Sequence, residues 1–474
     1  MQRLRGTAVA LTGVLLLSGC KTFSPDGGLS VVAELTAGDL GKEVVRVRTG
    51  QDALDAREAI ERLLKRPLTA ESAVQLALYN NRGLQAAYNE LGISEGALVG
   101  AYLPPNPTFS IERLSSSVEV EIGGRAIANV LALLTLPARA KVAEDRYQQA
   151  QIRAAQETLR VAANTRRAFY RAVAAREAAA FLDEAKTAAE TATKLARRLG
   201  ETGALNKLDQ AREQVFYAEV AAQLAAQRQR SATERERLIR MLGLWGKDTG
   251  FALPKSLPAL PSKFRSLPVV EVEAIRRRLD VHAARLEVAA LAKSYGLTNA
   301  TRFINLLEVA GIAEKKREKE TGETERARGE EIEFQIPLFD FGQVRARQAE
   351  EEYLRAVNLL AEKAVNVRSE ARDAYRIFRT SYDLARHYRN EVLPLRKIIS
   401  EETLLRYNAM QIDVFALLGE ARQRVATTMA AIDAHRDFWL ASTDLMGAVV
   451  GGGAEGMAAG PAPMAAADAG GGGH

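Results

Sequence analysis

Few residues in this 474-residue chain carry the chemistry of an active site. Its four histidines, His282, His387, His435 and His474, are scattered, and neither Gly-x-Ser-x-Gly nor His-Glu-x-x-His occurs. Hydrolase and zinc-peptidase chemistry therefore has no anchor. The one thiol, Cys20, excludes an intrachain disulfide. It stands in Leu17-Ser18-Gly19-Cys20, after a basic start at Arg3 and Arg5 and an apolar run over residues 8–17 of the length an export signal uses. Small residues ahead of a cysteine fit a peptidase pocket, and a thiol exposed at a new N-terminus can carry a thioether-linked lipid. A covalent lipid on Cys20 is thus the one modification expected; no metal and no other cofactor is. An ordinary export signal with an incidental cysteine is the competing interpretation.

The segment ending at Cys20 resembles the lipobox of bacterial lipoproteins. One acyl chain holds a membrane weakly, at about 0.8 kcal/mol per buried methylene, so several chains or a second anchor are required. Lys21 follows the cysteine where retention at the inner membrane usually wants Asp. By the same resemblance, that favours the outer membrane.

Composition narrows the class. The chain is 47% apolar and 26% charged, which excludes a disordered or collagen-like protein. Lys and Arg number 65 against 59 Asp and Glu, so the net charge is only +6 and no nucleic-acid partner is expected. No run of 18 apolar residues is available for a spanning helix.

An internal repeat sets the organisation. Arg139-Ala140-Lys141-Val142-Ala143-Glu144-Asp145-Arg146-Tyr147 matches Arg345-Ala346-Arg347-Gln348-Ala349-Glu350-Glu351-Glu352-Tyr353 at an offset of 206, in identity or charge at seven of nine positions. The same offset places Phe169 on Tyr375. Leu84-Gln85-Ala86-Ala87 falls on Val281-His282-Ala283-Ala284 at 197, and Gly203 meets Met410 at 207. A unit of about two hundred residues is too long for a solenoid repeat and indicates a duplicated half-molecule.

Each half has one layout: a helix over 70–100 or 272–295, a segment of strand character, a very long helix over 138–199 or 344–406, a break, and a helix over 207–242 or 413–447. The expected divisions are a signal segment at 1–19, a lipidated N-terminal segment with a short helix at 20–67, a first repeat at 68–252, a connector at 253–270, a second repeat at 271–450 and a Gly/Ala tail at 451–474. Pro254, Pro258, Pro261 and Pro268 make the connector extended. Twenty alanines between Ala138 and Leu199 permit close helix approach, and a rod of that length is stable only against other rods. A filamentous coiled coil would share this pattern. Pro394, together with the change of offset from 206 to 207 between Phe169 and Gly203, predicts a one-residue bulge and kink in the second long helix.

The segments between the helices argue against a plain coiled coil. Strands are predicted at 108–114, 126–136, 302–312 and 330–338. In the last, Ile332, Phe334 and Ile336 share one face, and Glu331, Glu333 and Gln335 the other. That alternation fits a membrane-barrel strand with a wet lumen and equally a half-buried strand of a soluble sheet. The almost wholly charged stretch 314–330 reads as an exposed loop at a barrel mouth. Four strands cannot close a barrel, and open edges are not tolerated in lipid, so spanning strands would have to be pooled among protomers.

With these features the chain resembles the TolC family of outer membrane efflux proteins, particularly lipidated ones. The residues that carry the resemblance are Leu68-Thr69, Asn80-Asn81, Leu103-Pro104-Pro105-Asn106-Pro107, Ile336-Pro337-Leu338-Phe339-Asp340-Phe341-Gly342-Gln343-Val344-Arg345, Gly203 and the segment 407–412. The fold class implied is mainly α with a small β part: long coiled-coil helices form a periplasmic α-barrel, and four strands per protomer contribute to a trimeric outer membrane β-barrel. The function implied is the outer membrane channel of a tripartite efflux or type I secretion system. It would be a homotrimer in outer membrane lipid, partnered by a periplasmic adaptor and an inner membrane transporter, and not an enzyme. A lipidated coiled-coil adaptor or structural envelope protein is the alternative; it would need only one helical hairpin, so the duplication counts against it.

The resemblance also locates candidate sites. Asp209, Tyr407 and Asp413 are candidates for a periplasmic gate, with Asp209 and Tyr407 able to hydrogen-bond between adjacent turns. Gly203, Leu205, Met410 and Ile412 are candidates for adaptor-docking tips. Two departures stand out. Met410 replaces the glycine usual at the second turn, and the acidic ring that many members place beyond that turn falls near Ala416 and Gly419.

Overall fold

A computed structural model describes residues 22–262 and 267–451. The lipidation candidate Cys20, the signal segment and the tail from residue 452 lie outside the described residues. In chain order the elements are helices α1 (Leu29–Leu40), α2 (Gly50–Leu64), α3 (Ala70–Asn80) and α4 (Arg82–Tyr102), strands β1 (Thr108–Ser115) and β2 (Glu119–Asn129), then α5 (Val130–Glu201) and α6 (Lys207–Leu242). A 3-10 turn at Gly246–Gly250 leads through the connector to α7 (Leu267–Arg277), α8 (Leu279–Ala300), β3 (Leu306–Glu318) and β4 (Thr324–Gln335). Helix α9 (Gln343–His387), a π turn at Tyr388–Val392, α10 (Leu393–Asn408) and α11 (Val414–Val450) complete the chain.

The halves are alike in finer detail than the sequence suggests. Each opening helix is broken, at Asn81 in the first half and Arg278 in the second, at the 197-residue offset. Asn81 ends α3 in an extended conformation, and its Oδ1 accepts the Leu84 amide at 3.0 Å to start α4. In the second long helix the extra residue enters as the π turn before Pro394, where the Leu393 amide donates to the Tyr388 carbonyl. Pro394 has no amide to donate, and the wider π turn before it accommodates the ring within a continuous helical run.

The strand boundaries differ from those expected. The second strand lies at Glu119–Asn129, not 126–136: Asn129 Oδ1 accepts the Ala132 amide at 2.7 Å, capping α5, so the apolar run that follows is helical and carries Pro137 within it. The third and fourth strands lie at Leu306–Glu318 and Thr324–Gln335, not 302–312 and 330–338. The charged stretch 314–330 is therefore not a loop but the far end of a hairpin, paired up to Arg317 and Thr324. The turn needs only Gly322 at φ +72°, its amide donating to Glu318 O at 3.1 Å. Charged side chains do not oppose strand pairing when both faces of the ribbon stay exposed, as here.

The chain folds as two compact units, each drawing on both repeats. The first contains residues 22–35, 86–155 and 280–365, including the antiparallel sheet of order β1-β2-β3-β4. Within it the Lys293 ammonium pairs with Asp145 at 2.5 Å. The second contains residues 36–85, 156–262, 267–279 and 366–451. Its interior is alanine-rich with aromatic anchors: Phe378, Tyr382, Ala385, Phe438 and Ala441 form one cluster, and Ala189, Phe216, Val220 and Leu418 another. Asn80 Nδ2 donates to the carbonyls of Leu242 (3.0 Å) and Gly243 (2.7 Å), and Asn81 Nδ2 to Met241 O (3.0 Å), which satisfies the carbonyls at the end of α6. The connector packs in this unit too: the Pro258 carbonyl accepts from His435 Nε2 at 2.8 Å and Trp439 Nε1 at 3.0 Å. Among the described residues no helix is long and apolar enough to cross a membrane.

Candidate functional site

The two helical turns, both in the second unit, are built alike. After α5, Gly203 adopts φ +77° and its amide donates to Gly200 O at 3.1 Å, while the Ala204 amide reaches Leu199 O at 2.9 Å. After α10, Met410 adopts φ +58°, its amide donating to Tyr407 O at 3.0 Å, while the Gln411 amide reaches Arg406 O at 2.9 Å. The next helices then start on equivalent caps: Asn206 Oδ1 accepts the Asp209 amide and Asp413 Oδ1 the Ala416 amide, each at 2.9 Å. A left-handed residue followed three positions later by an Asn or Asp cap is the common device.

Of the tip residues, Met410 is 94% exposed and Gly203 is exposed; Leu205 and Ile412 are half-buried. Exposed Leu404, Leu405 and Leu208 extend the apolar surface at the turns.

The gate candidates separate. Asp413 is spent on its cap and lies exposed. Tyr407 is half-buried, and among the described residues no hydrogen bond joins it to Asp209 within one chain. Asp209 is 7% exposed; its Oδ2 accepts from Asn206 Nδ2 at 2.7 Å, while Oδ1 has no hydrogen-bond partner and lies 3.9 Å from the Arg212 guanidinium. One helical turn further on, Glu213 is 3% exposed with Oε2 unpartnered. Burial raises its carboxyl pKa above the ordinary range, and Arg422 partly offsets that. Helix α11 supplies the surroundings: Phe415 under the Arg212 guanidinium, Arg422 paired with Glu219 at 3.3 Å, and Glu420 paired with Arg396 of α10 at 2.9 Å. Glu213 and Arg422 were not found from sequence. The four-residue spacing of Asp209 and Glu213 was the available signal, but burial depends on the helices packed against them.

In the first unit the sheet presents two chemically distinct faces. The register places Ala128, Val309 and Ile332 in one row and Leu307 with Phe334 in the next. Phe109, Ile111, Ile332 and Phe334 on that face are all exposed. The other face carries Glu112, Glu121, Glu308, Glu314, Glu331 and Glu333. The apolar/polar alternation expected around Ile332 is thus present, with Phe109, Ile111, Ile332 and Phe334 left exposed on one face.

The model of the family described as "Outer membrane efflux protein" matches residues 271–400. Among curated proteins, the chain is 26% identical over 308 residues to the cobalt-zinc-cadmium resistance protein CzcC of Cupriavidus metallidurans, covering 61% of this chain and 69% of that one. Among solved structures, the CusC transmembrane channel superposes with a TM-score of 0.66 at 16% identity, over 81% of this chain and 92% of that chain. The Campylobacter jejuni CmeC outer membrane channel gives 0.59 at 15% identity, over 88% and 91%.

Proposed function

We propose that the chain is a member of the outer membrane efflux protein family, whose model matches residues 271–400, and that three copies assemble into a passive outer membrane conduit. The observation that carries this is the sheet: four strands, open at both edges, with Phe109, Ile111, Ile332 and Phe334 exposed on one face and glutamates on the other. Lipid tolerates neither open edges nor a closed barrel of four strands. Three copies pool twelve strands, with the apolar face toward lipid and the acidic face toward a wet lumen.

The helices extend into the periplasm, and the paired turns form the end that opens. A periplasmic adaptor docks on the apolar tips around Met410, with an inner membrane transporter supplying the driving force. Lipid on Cys20 adds an anchor. No bond chemistry is required, so the protein is not an enzyme. The acid-rich lumen face favours cations, and the similarity to a cobalt-zinc-cadmium resistance protein supports metal ions as cargo. The adaptor alternative fits less well, since two equivalent hairpins and an apolar-faced sheet have no use in it.

The test is conductance of the purified protein in planar lipid films, together with its migration in gels before and after heating. Trimer-sized, heat-dissociable migration and stable ion conductance are expected. A monomer that never raises conductance would overturn the proposal.

A further inference from the structure

We propose that the lipid-facing side of the sheet carries a basic girdle that binds phosphate-bearing lipid headgroups of the leaflet nearest the hairpin turns. The inference rests on the membrane-barrel reading and adds to it a specific lipid partner. On the face that holds Phe109, Ile111, Ile332 and Phe334, the register brings Arg113, Lys315 and Arg326 into one row across β1, β2, β3 and β4, with Ile122 between the first two. Arg317 lies in the row above and Arg328 in the row below. All five are exposed, and among the described residues none makes an ion pair. These rows hold no acid on this face; Glu330, beside Gly311, lies one row further toward the apolar end.

The opposite face treats its cations differently. Arg125 pairs with Glu331, and Lys316 with Glu119 at 3.1 Å. Glutamates are therefore kept where they neutralise the lumen-side cations and are withheld from the five on the apolar side. A slip of one residue would exchange the faces, so this segregation is fixed by register and not by local composition. Like charges gathered without counter-charges repel one another, and the missing negative charge has to come from outside the chain.

Depth identifies the source. Phe334 and Arg326 are eight positions apart on β4, about 27 Å along a strand and about 20 Å of depth at the usual barrel tilt, close to the height of an apolar band. The girdle thus sits at headgroup level above that band. Arginine forks match phosphate oxygens in two-point contacts, and both side chains reach polar headgroups while their stems lie along apolar surface.

The full-length protein, purified in a neutral detergent, would be tested with diphosphorylated lipid A, with dephosphorylated lipid A and with inorganic phosphate. Wild type should bind the diphosphorylated lipid at least tenfold more tightly than its dephosphorylated form, and millimolar inorganic phosphate should not displace it. Arg113→Gln, Lys315→Gln and Arg326→Gln together should remove that preference, while Arg113→Lys with Arg326→Lys, or the lumen-side pair Arg125→Gln and Lys316→Gln, should keep it. The triple variant should still conduct in phosphatidylcholine films. Equal binding of the two lipid A forms, or unchanged binding by a triple variant that conducts normally, overturns the girdle and leaves the channel standing. Absence of conductance from wild type and variant alike overturns the channel reading and the girdle with it.

Discussion

Met410 occupies in the second helical turn the left-handed backbone position that Gly203 occupies in the first, 207 residues earlier, and both turns close with equivalent amide–carbonyl bonds. A side chain with a Cβ costs about 1 kcal/mol at such a position. Met410 recovers nothing by packing, since it is 94% exposed. Strain retained where no intrachain contact rewards it points to a use at the surface. Met410→Gly should raise stability against denaturant by about 1 kcal/mol and weaken adaptor binding. Higher stability with undiminished adaptor binding would remove Met410 from the docking surface.

The latch can be tested one residue at a time. Asp209 already gives one carboxylate oxygen to Asn206, while its Oδ1 is buried without a hydrogen-bond partner, 3.9 Å from the Arg212 guanidinium. Asp209→Ala should raise resting conductance in planar films, and Tyr407→Phe should do the same if its phenol is the group that bonds across. Unchanged conductance in both variants would show that neither holds the closed end.

How much of this was readable beforehand follows from what each signal depends on. Gly203, Asn206 and Asp413 act on their own backbone, so the turns and the start of α6 at Lys207 were legible from residue type. The shift of offset from 206 to 207 located the π turn because an inserted residue must go somewhere between Tyr375 and Met410. The apolar run from Val130 was expected as strand because a short apolar run carries no helical period of its own, and the cap formed by Asn129 makes it helical. Residues 314–330 misled because charge forbids burial, not strand pairing. Glu213 was invisible since its burial is created by other helices, and the five unpaired cations became a group only once the register was known.

Glu213 gives a dependence on pH. Burial raises its pKa above the ordinary 4.5, so over the interval between the unfolded and folded values the native state holds more protons. Its contribution to stability is therefore fully present below pH 4.5 and lost as pH rises through the folded value. Glu213→Gln, which cannot ionise, should gain stability relative to wild type at pH 7 and gain less at pH 4. Denaturation midpoints of both proteins at the two pH values measure this, and a difference independent of pH would show that the carboxyl is solvated.

Two glycines with positive φ separate steric cost from backbone cost. At Gly203, φ is +77° and a Cβ would have no heavy atom within 4 Å, so Gly203→Ala should cost only the left-handed penalty of about 1 kcal/mol. At Gly342, φ is +72° and a Cβ would fall 2.2 Å from the Arg302 carbonyl oxygen. That oxygen belongs to backbone beside β3, so it cannot move aside without shifting the segment that enters the strand. The Arg345 guanidinium, bonded to Thr301 O at 3.1 Å, further ties this segment to the start of α9. Gly342→Ala should therefore be the more damaging by well over 1 kcal/mol, and trimer yield should fall with it, because the displaced segment aligns β3 with β4. Equal midpoints for the two variants would mean that the contact between Gly342 and Arg302 is loose, and that the path from β4 into α9 is not fixed by the glycine.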